Sequence, residues 1–518
     1  MKIRHIDFGK IDANNELQEM GDEKYLASFF DYEKYHILDF IKGRRYYVCG
    51  NKGTGKTALL KYLEVFFRKA PENLIIPIRF KTDIDDLDRN KLRAGGLQKT
   101  SENTEIDVYN ARSEKSYTSI WQVFLLYKIL EESKRGEYEV FENTSEYTIL
   151  EKLVSSIYAN SRYDIIPKIK RGNIKLDISI LQTIKADVGI DLEYNKNDES
   201  ARLSDTAKAI NHLYEKLKWS RTPVYILIDE LELSVDTAKS RKQDIGLVRD
   251  LILTVNLLNE ISKRNGFKIY FIASIREEVM NDIRIAGYEI NKCIEDYGVT
   301  IDWLYKGGSY LDSPLLSIID RKVRASEKDN GDTPVDDIWK SYFPAKINDE
   351  EFRKYLLGYS WQKPRDIIRM LRLAQEEANI NDDRFTQEMF DRALRKYSER
   401  SWNEICEELI LQYSSDELKM IKKLFTGIAV PFTYGEIQNK IEKLQSIYTD
   451  GSADFLASPN KLLTFLEIMF KWGVIGNTGK RMMFSFLGYT DLDITGKMII
   501  HKPLRNFFGV LVPDGANN

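Results

Sequence analysis

The chain has 518 residues, which is too long for a single hydrophobic core and predicts two to four domains. Its 77 lysines and arginines nearly balance its 80 aspartates and glutamates, and the net charge of -3 excludes a basic field over the whole molecule of the kind that attracts nucleic acid. Hydrophobic residues make up 43% of the chain, which argues against extensive disorder.

The cysteines and histidines are too scattered to form a metal site. The three cysteines (Cys49, Cys293 and Cys406) include no C-x-x-C pair, which excludes a thiolate zinc site and indicates a reducing compartment. Residues 1–10 lack the apolar run of a signal peptide, and no apolar stretch approaches membrane-spanning length. We therefore expect a cytoplasmic protein that does not cross a membrane.

The first predicted elements surround a glycine-rich segment. Residues 1–35 form a mixed leader, and an amphipathic helix is expected around Asp31–Lys42. Arg44–Cys49 is typical of a short buried strand, and Ala58–Lys69 is typical of a helix with one apolar face. The segment between them has the pattern G-x-x-x-x-G-K-T and consists of Gly50, Asn51, Lys52, Gly53, Thr54, Gly55, Lys56 and Thr57.

This spacing is that of a phosphate-binding loop. Glycines let the backbone turn tightly, so that several N–H groups point at a triphosphate, and the helix that starts near Ala58 favours anions at its N-terminus. Lys56 would supply a positive charge to the β- and γ-phosphates, and the Thr57 hydroxyl would be a ligand for Mg²⁺. A glycine turn that binds nothing would not require this strand and helix on either side, so we predict a nucleoside triphosphate site.

An insertion is expected at residues 81–200, after a second strand at Leu74–Phe80. It contains a charge-rich loop and two helical patterns, Tyr117–Ser133 and Glu146–Ala159. Period-two alternation over Asn173–Tyr194 then predicts an antiparallel hairpin. The insertion either covers one edge of the sheet or docks a partner or a neighbouring subunit.

Two further apolar runs end in polar side chains. Val224–Ile228 is followed by Asp229 and Glu230, and Lys268–Ala273 is followed by Ser274, Ile275 and Arg276. Val299–Trp303 is a candidate fifth strand. Strands that alternate with helices predict a parallel α/β sheet, and ligands of such sheets collect at the carboxyl ends of the strands, where all of these motifs lie.

Each polar side chain at these strand ends has an expected role. Asp229 would hold Mg²⁺ through water beside Thr57, and Glu230 would polarise the attacking water, with Glu232 as a weaker alternative. Arg276 would lie near the γ-phosphate, unless it is only a solvated turn arginine, and Ser274 would be a polar sensor at the same strand end. The predicted catalytic residues are therefore Lys56, Glu230 and Arg276.

The remaining residues predict two smaller domains. Residues 311–400 carry four helical patterns, and Arg365 opens one of them after Pro364. Arg365 would either report the closure of this helical lid over the nucleotide or form a solvated helix edge, while Arg321 and Arg324 are candidates for a finger that reaches a neighbouring nucleotide. Residues 401–518 show three helices and two strand-like runs, Met482–Leu487 and Met498–His501, which is the plan of a winged helix.

Together these motifs resemble a known family. The sequences GNKGTGKT, VYILIDE, FIASIR and WQKPRD, with the helical lid and winged helix, look like the AAA+/STAND branch of P-loop ATPases, including bacterial ATPases of phage-defence neighbourhoods. The resemblance implies a P-loop core at residues 36–310, ATP as the nucleotide, a γ-phosphate role for Arg276 and a lid role for Arg365.

Two functions follow from this resemblance. The first is an ATP-driven switch that changes conformation, forms homo-oligomers or recruits an effector protein. The second is a nucleic-acid-dependent ATPase that binds DNA through the winged helix. Residues 401–518 contain 12 lysines and arginines against 13 aspartates and glutamates, which favours the switch, although a stripe of basic residues is present at Lys471, Lys480, Arg481, Lys497, Lys502 and Arg505. A small-molecule kinase fits less well, because no acceptor site is visible.

Overall fold

The computed structural model describes residues 1–83, 90, 97–98, 115–158, 169–170, 173–176, 179, 182, 185, 194–195, 200–231, 238–287, 289–305, 307, 309–410 and 412–512. The chain forms two compact units. The first, here called the C-terminal unit, combines Met1–Phe30 and Gly53–Gly55 with Asp302–Asn518. The second, the sheet unit, combines Asp31–Lys52 with Lys56–Ile301.

The strands of the described residues are, in chain order, β1 Tyr47–Gly50, β2 Leu74–Arg79, β3 Leu97–Gln98, β4 Lys115–Ser116, β5 Ile169–Lys170, β6 Asn173–Lys175, β7 Tyr194–Asn195, β8 Ser200–Arg202, β9 Val224–Leu231, β10 Ile269–Arg276, β11 Gly298–Thr300, β12 Lys346–Ile347, β13 Glu350–Glu351, β14 Ile475–Thr478 and β15 Lys497–Ile500.

The helices are α1 Ala13–Met20, α2 Asp22–Ser28, α3 Ile37–Ile41, α4 Lys56–Arg68, α5 Phe80–Asp83, α6 Thr118–Arg135, α7 Ser145–Tyr158, α8 Leu203–Lys216, α9 Ala238–Arg264, α10 Glu277–Ile285, α11 Asn291–Tyr297, α12 Pro314–Asp329, α13 Ile338–Tyr342, α14 Phe352–Gly358, α15 Pro364–Glu376, α16 Gln387–Leu409, α17 Ser415–Phe425, α18 Tyr434–Ile447, α19 Pro459–Lys471 and α20 Lys502–Phe508. None of these helices combines the length and apolarity needed to cross a bilayer.

A five-stranded parallel sheet organises the sheet unit. The strand order is β11-β1-β10-β9-β2, and all four neighbouring pairs are parallel. β1 is buried along its whole length, as are the first six residues of β9, which is why these strands appear in the sequence as continuous apolar runs. The predicted parallel α/β sheet is therefore confirmed, and the carboxyl ends of its strands share one edge.

The insertion contributes to the hydrophobic core of this unit. The Trp121 indole of α6 donates to the carbonyl of Leu247 in α9 at 2.9 Å, and the Trp121 and Phe80 rings are 5.8 Å apart. The described part of the predicted hairpin belongs to a four-stranded antiparallel sheet of order β5-β6-β8-β7. Residues 186–192, which carried half of the predicted alternation, lie outside the described residues.

Helices dominate the C-terminal unit, as expected. The N-terminal segment packs on its first long helix through a buried pair between Lys322 and Glu16, with Nζ and Oε1 2.6 Å apart. The 23-residue helix α16 runs through the expected domain boundary at residue 400. The expected helix over Asp31–Lys42 is shorter than predicted: His36 has a left-handed φ of 49°, so a 3-10 turn at Glu33–Tyr35 precedes α3.

The three helices and the β-ribbon expected after residue 400 are present, but one strand was wrongly predicted. β15 pairs with β14 in antiparallel register. Met482–Leu487 instead forms a bridge from Met483 to Asn477 and a 3-10 turn at Ser485–Leu487. β14 has the sequence Ile-Gly-Asn-Thr. It was not predicted as a strand because glycine and asparagine are both disfavoured in strands.

Candidate functional site

The glycine-rich loop leaves the carboxyl end of β1 and enters α4. Gly50, Gly53 and Gly55 have φ angles of 153°, 84° and 97°, values that only glycine adopts without strain. α4 begins at Lys56, two residues earlier than predicted, and its buried face includes Leu59, Leu60, Leu63 and Phe67. A strand, a turn of left-handed glycines and a helix N-terminus are therefore present in the predicted order.

The first turn of α4 carries the predicted lysine and threonine. Lys56 is buried, and its ammonium group donates to the carbonyl oxygens of Gly50 and Asn51, both at 2.9 Å. These bonds hold the positive charge inside the loop. Thr57 and Ala58 follow on the same turn and are half-buried.

Asp229 and Ser274 meet on neighbouring strands. Asp229 lies near the carboxyl end of β9, is only 7% exposed, and accepts a hydrogen bond from the Ser274 hydroxyl of β10. Ser274 is in register with Val48 of β1, two residues before Gly50. Asp229 is therefore about two strand spacings from β1, roughly 10 Å, on the same edge of the sheet.

Glu230 has an unusual backbone conformation. Its φ is 61°, which is rare for a residue that is not glycine and locally strained. Its carboxylate Oε2 accepts a hydrogen bond from Thr82 of α5 at 2.8 Å. The alternative residue Glu232 lies outside the described residues.

Arg276 is the last residue of β10 and is in register with Gly50, the first glycine of the loop. Its side chain is half-buried. The structure therefore brings Lys56, Thr57, Asp229, Glu230, Ser274 and Arg276 to one edge of the sheet unit.

Arg365 lies in the C-terminal unit and is paired. Its guanidinium Nη1 is 2.8 Å from Glu404 Oε1, and the same carboxylate also accepts a hydrogen bond from Arg369. Burial opposes ionisation of Glu404, but the charges of Arg369 and Arg365 outweigh burial and lower its pKa to about 2. Arg365 is therefore half-buried and ion-paired within the C-terminal unit.

Gly53 and Thr54 of the glycine-rich loop, which belong to this same unit, contact its side chains. A Cβ added at Gly53 would lie 3.4 Å from Arg365 Cβ and 3.5 Å from Lys363 Cδ. The carbonyl of Thr54 accepts a hydrogen bond from the Trp303 indole at 2.9 Å. Two segments of the C-terminal unit, around residues 303 and 363–365, thus contact the loop tip.

Three residues that contact the predicted site residues were not predicted from the sequence. Thr82, Trp303 and Glu278 reach the site from distant positions, and the Lys52 amide lies 3.4 Å from the Glu278 carboxylate. No spacing rule connects such positions to the loop. The finger candidate Arg324 instead bonds the carbonyls of Val335 and Asp336, whereas Arg321 is exposed.

Oxygen donors are the only metal ligands that the described part of the site offers. No group of three histidine, cysteine or acidic side chains that could hold a metal is found among the described residues. Mg²⁺ needs few protein ligands, because it keeps water and phosphate oxygens in its coordination shell. Thr57 and Asp229 fit that requirement, and burial raises the pKa of the Cys49 thiol to about 12, which makes it a poor ligand.

Part of the C-terminal unit matches a known protein family. Residues 313–406 match the family described as the FunZ-associated C-terminal helical domain, and FunZ is a defence-island-associated family. The match covers α12 to α15 and most of α16. A search of curated proteins found no match.

Proposed function

We propose that this chain is a P-loop ATPase that binds ATP with Mg²⁺, hydrolyses it, and acts as a nucleotide-dependent switch. The loop geometry carries the proposal: three left-handed glycines lead from a buried strand into a helix that begins with Lys56 and Thr57. Asp229 and Glu230 stand on the same edge of one parallel sheet, which is where such sheets bind ligands.

In this proposal the loop residues bind phosphate. The Lys56 ammonium group exchanges the carbonyls of Gly50 and Asn51 for phosphate oxygens, and backbone amides of residues 50–58 donate to the same anion. Mg²⁺, held by Thr57 and through water by Asp229, would neutralise charge that develops on the phosphates. Ser274 orients Asp229 through the hydrogen bond between them.

Glu230 acts on the attacking water. Its carboxylate accepts a proton or orients the water, and the left-handed backbone sets the direction of the side chain at the strand end. Arg276, in register with Gly50, would stabilise the negative charge of the γ-phosphate.

The proposed switch works through the loop tip. Gly53 packs against Arg365 and Lys363, and Thr54 accepts the Trp303 bond, so a change in loop conformation on phosphate binding alters these contacts. Arg365 would then exchange Glu404 for another anionic partner. Formation of homo-oligomers or recruitment of an effector protein would follow from the new conformation.

Steady-state hydrolysis of ATP by the purified protein tests this function. Lys56→Ala should abolish nucleotide binding, whereas Glu230→Gln should bind ATP and hydrolyse it about 100-fold more slowly or worse. Lys69→Ala, an exposed lysine beyond the end of α4, is the matched control and should behave as wild type. Full hydrolysis by Lys56→Ala would refute the proposal.

The biological setting that we propose is bacterial defence against phage. The support is the match of residues 313–406 to a domain of a defence-associated family. Phage should plate less efficiently on cells that carry the wild-type gene than on cells that carry Lys56→Ala. Equal plating on both would remove the defence role without affecting the ATPase proposal.

A nucleic-acid-dependent ATPase is the second candidate, and the basic stripe favours it. Lys471, Lys480, Arg481 and Lys497 are exposed, but Lys502 pairs with Glu350 at 3.0 Å and Arg505 bonds the Ile500 carbonyl at 2.9 Å. Two of the six basic residues are thus engaged within the C-terminal unit, which weakens this candidate. Stimulation of ATP hydrolysis by DNA or RNA would favour it.

A further inference from the structure

A cavity lies entirely within the C-terminal unit. Its volume is about 350 Å³, within the range of small-molecule sites. Its walls come from three parts of the chain: residues 304–305 with 310–313, residues 350–362 and residues 482–505. The loop residues Gly50–Thr57 do not line it.

Five aromatic side chains line this cavity: Tyr305, Tyr310, Phe484, Phe486 and His501. Phe484 and Phe486 line it with ring centroids 5.0 Å apart and planes 23° from parallel, and Tyr305 and Tyr310 remain about 40% exposed. His501 also lines the cavity and stacks on Trp361 with a centroid distance of 4.7 Å. Flat apolar walls of this kind suit a planar ring.

Positive charge is concentrated in the same place. Lys354, Lys502 and Arg505 line the cavity together with one acidic residue, Glu350, whose carboxylate pairs with Lys502 at 3.0 Å. Ser313, the residue that precedes the 16-residue helix α12, also lines it, so the positive end of that helix adds to the field. An acidic group is therefore the favoured complement.

Two buried polar atoms at this cavity have no hydrogen-bond partner among the described residues. They are the Ser313 hydroxyl and the Nδ1 of His501, and both residues are 3% exposed. Ser313 does not cap its helix with its side chain, although serine at this position usually does. An unpaired buried polar group carries a free-energy penalty that a ligand's hydrogen bond would remove.

We propose that this cavity is an effector site for a small planar aromatic acid. Leu304 and Tyr305 line the cavity directly after Trp303, which bonds Thr54. Gln362 lines the cavity with a strained φ of 54°, directly before the segment that packs on Gly53. A bound acid would therefore act on the loop tip through these two short segments. Its effect on the rate of ATP hydrolysis rests on the proposed function.

Isothermal titration with 2-naphthoate tests the site directly. We expect binding to the wild-type protein in the presence of saturating Mg-ATP, and at least about tenfold weaker binding of the uncharged 2-naphthalenemethanol. Arg505→Ala and Lys502→Gln should each weaken 2-naphthoate binding by about tenfold. Arg353→Ala, an arginine that does not line the cavity, is the control and should bind as wild type.

Ser313→Ala removes the unpaired hydroxyl and should leave folding intact, so it separates a ligand contact from a structural role. It should weaken 2-naphthoate binding by roughly threefold to tenfold while thermal stability stays unchanged or rises. Absence of binding, equal binding by all variants, or displacement by ATP would each overturn the proposal. Binding of 2-naphthoate that leaves the rate of ATP hydrolysis unchanged would overturn the proposed effect of this cavity on the loop tip. If the protein binds 2-naphthoate but has no ATPase activity, only the proposed function is refuted.

Discussion

Glu230 and Thr82 show how one side chain can depend on a residue far away in sequence. The backbone of Glu230 adopts a left-handed conformation at the end of β9, and its carboxylate is held by the Thr82 hydroxyl at 2.8 Å. A hydrogen bond limits the positions that the accepting carboxylate can take. The bond therefore restrains the group that we propose acts on water.

Removing this restraint should raise basal hydrolysis. Thr82→Val lacks the hydroxyl that holds the Glu230 carboxylate, and we expect the steady-state ATPase rate to rise severalfold. Thr426→Val, which alters an exposed threonine of the C-terminal unit, is the control and should leave the rate unchanged. A lower rate in Thr82→Val would show instead that the bond positions Glu230 productively.

Glu404 makes stability depend on pH. Its pKa is lowered to about 2 in the folded protein, against 4.5 ordinarily, because the charges of Arg369 and Arg365 outweigh burial. A depressed pKa stabilises the fold above pH 4.5, and this contribution, on the order of 3 kcal/mol, is lost as the pH falls from about 4.5 towards 2.

Urea unfolding at pH 7 and pH 3 measures this contribution. The free energy of unfolding of the wild-type protein should fall more between the two pH values than that of Glu404→Gln, which lacks the titrating group. Glu404→Gln should also be less stable at pH 7, because Arg365 and Arg369 lose their anionic partner. An identical pH response of the two proteins would contradict this assignment.

Among the elements, β14 is the one that local patterns did not predict. Its Gly476 faces a close backbone approach: an added Cβ would lie 2.4 Å from the Met483 carbonyl oxygen and 2.6 Å from the Phe484 ring. Glycine within a strand often marks such an approach. Met482–Leu487 was predicted to be a strand because it is apolar, but it packs beside β14 and forms no regular pairing with β15.

The two glycines of this region make a matched pair for measurement. Gly476→Ala should lower the free energy of unfolding by about 2 kcal/mol, because the carbonyl and ring must move. Gly435→Ala, in α18 with nothing within 4 Å of the added Cβ, should be neutral or stabilising by up to about 1 kcal/mol. Equal effects of both changes in urea unfolding would mean that the close approach at Gly476 is not tight.

At the scale of the whole molecule, the division into two units separates residues that are adjacent in sequence. Gly53–Gly55 belong to the C-terminal unit, and Lys52 and Lys56 belong to the sheet unit. The domain scheme of leader, core, lid and winged helix placed residues 1–35 apart, yet Met1–Phe30 belong to the same unit as Asp302–Asn518. The loop therefore contains points at which the chain passes from one unit to the other.

A switch at this loop should change the assembly state. Glu230→Gln holds ATP without rapid turnover in the proposed mechanism, so its mass by light scattering should increase when Mg-ATP is added. Lys56→Ala should keep the same mass with and without Mg-ATP. An unchanged mass and hydrodynamic radius for Glu230→Gln would argue against ATP-driven assembly.

Local features of the sequence alone determined the glycine loop, the apolar strands and the amphipathic helices, because each depends on residues within a few positions of one another. The parallel sheet was predicted because strands alternate with helices along the chain. Folding of the whole chain sets the remaining contacts, which are those of Asp229 with Ser274, Thr82 with Glu230, Trp303 with Thr54, and β14 with β15. These contacts join residues far apart in sequence, so no local pattern encodes them, and the cavity beside His501 arises from three such distant segments.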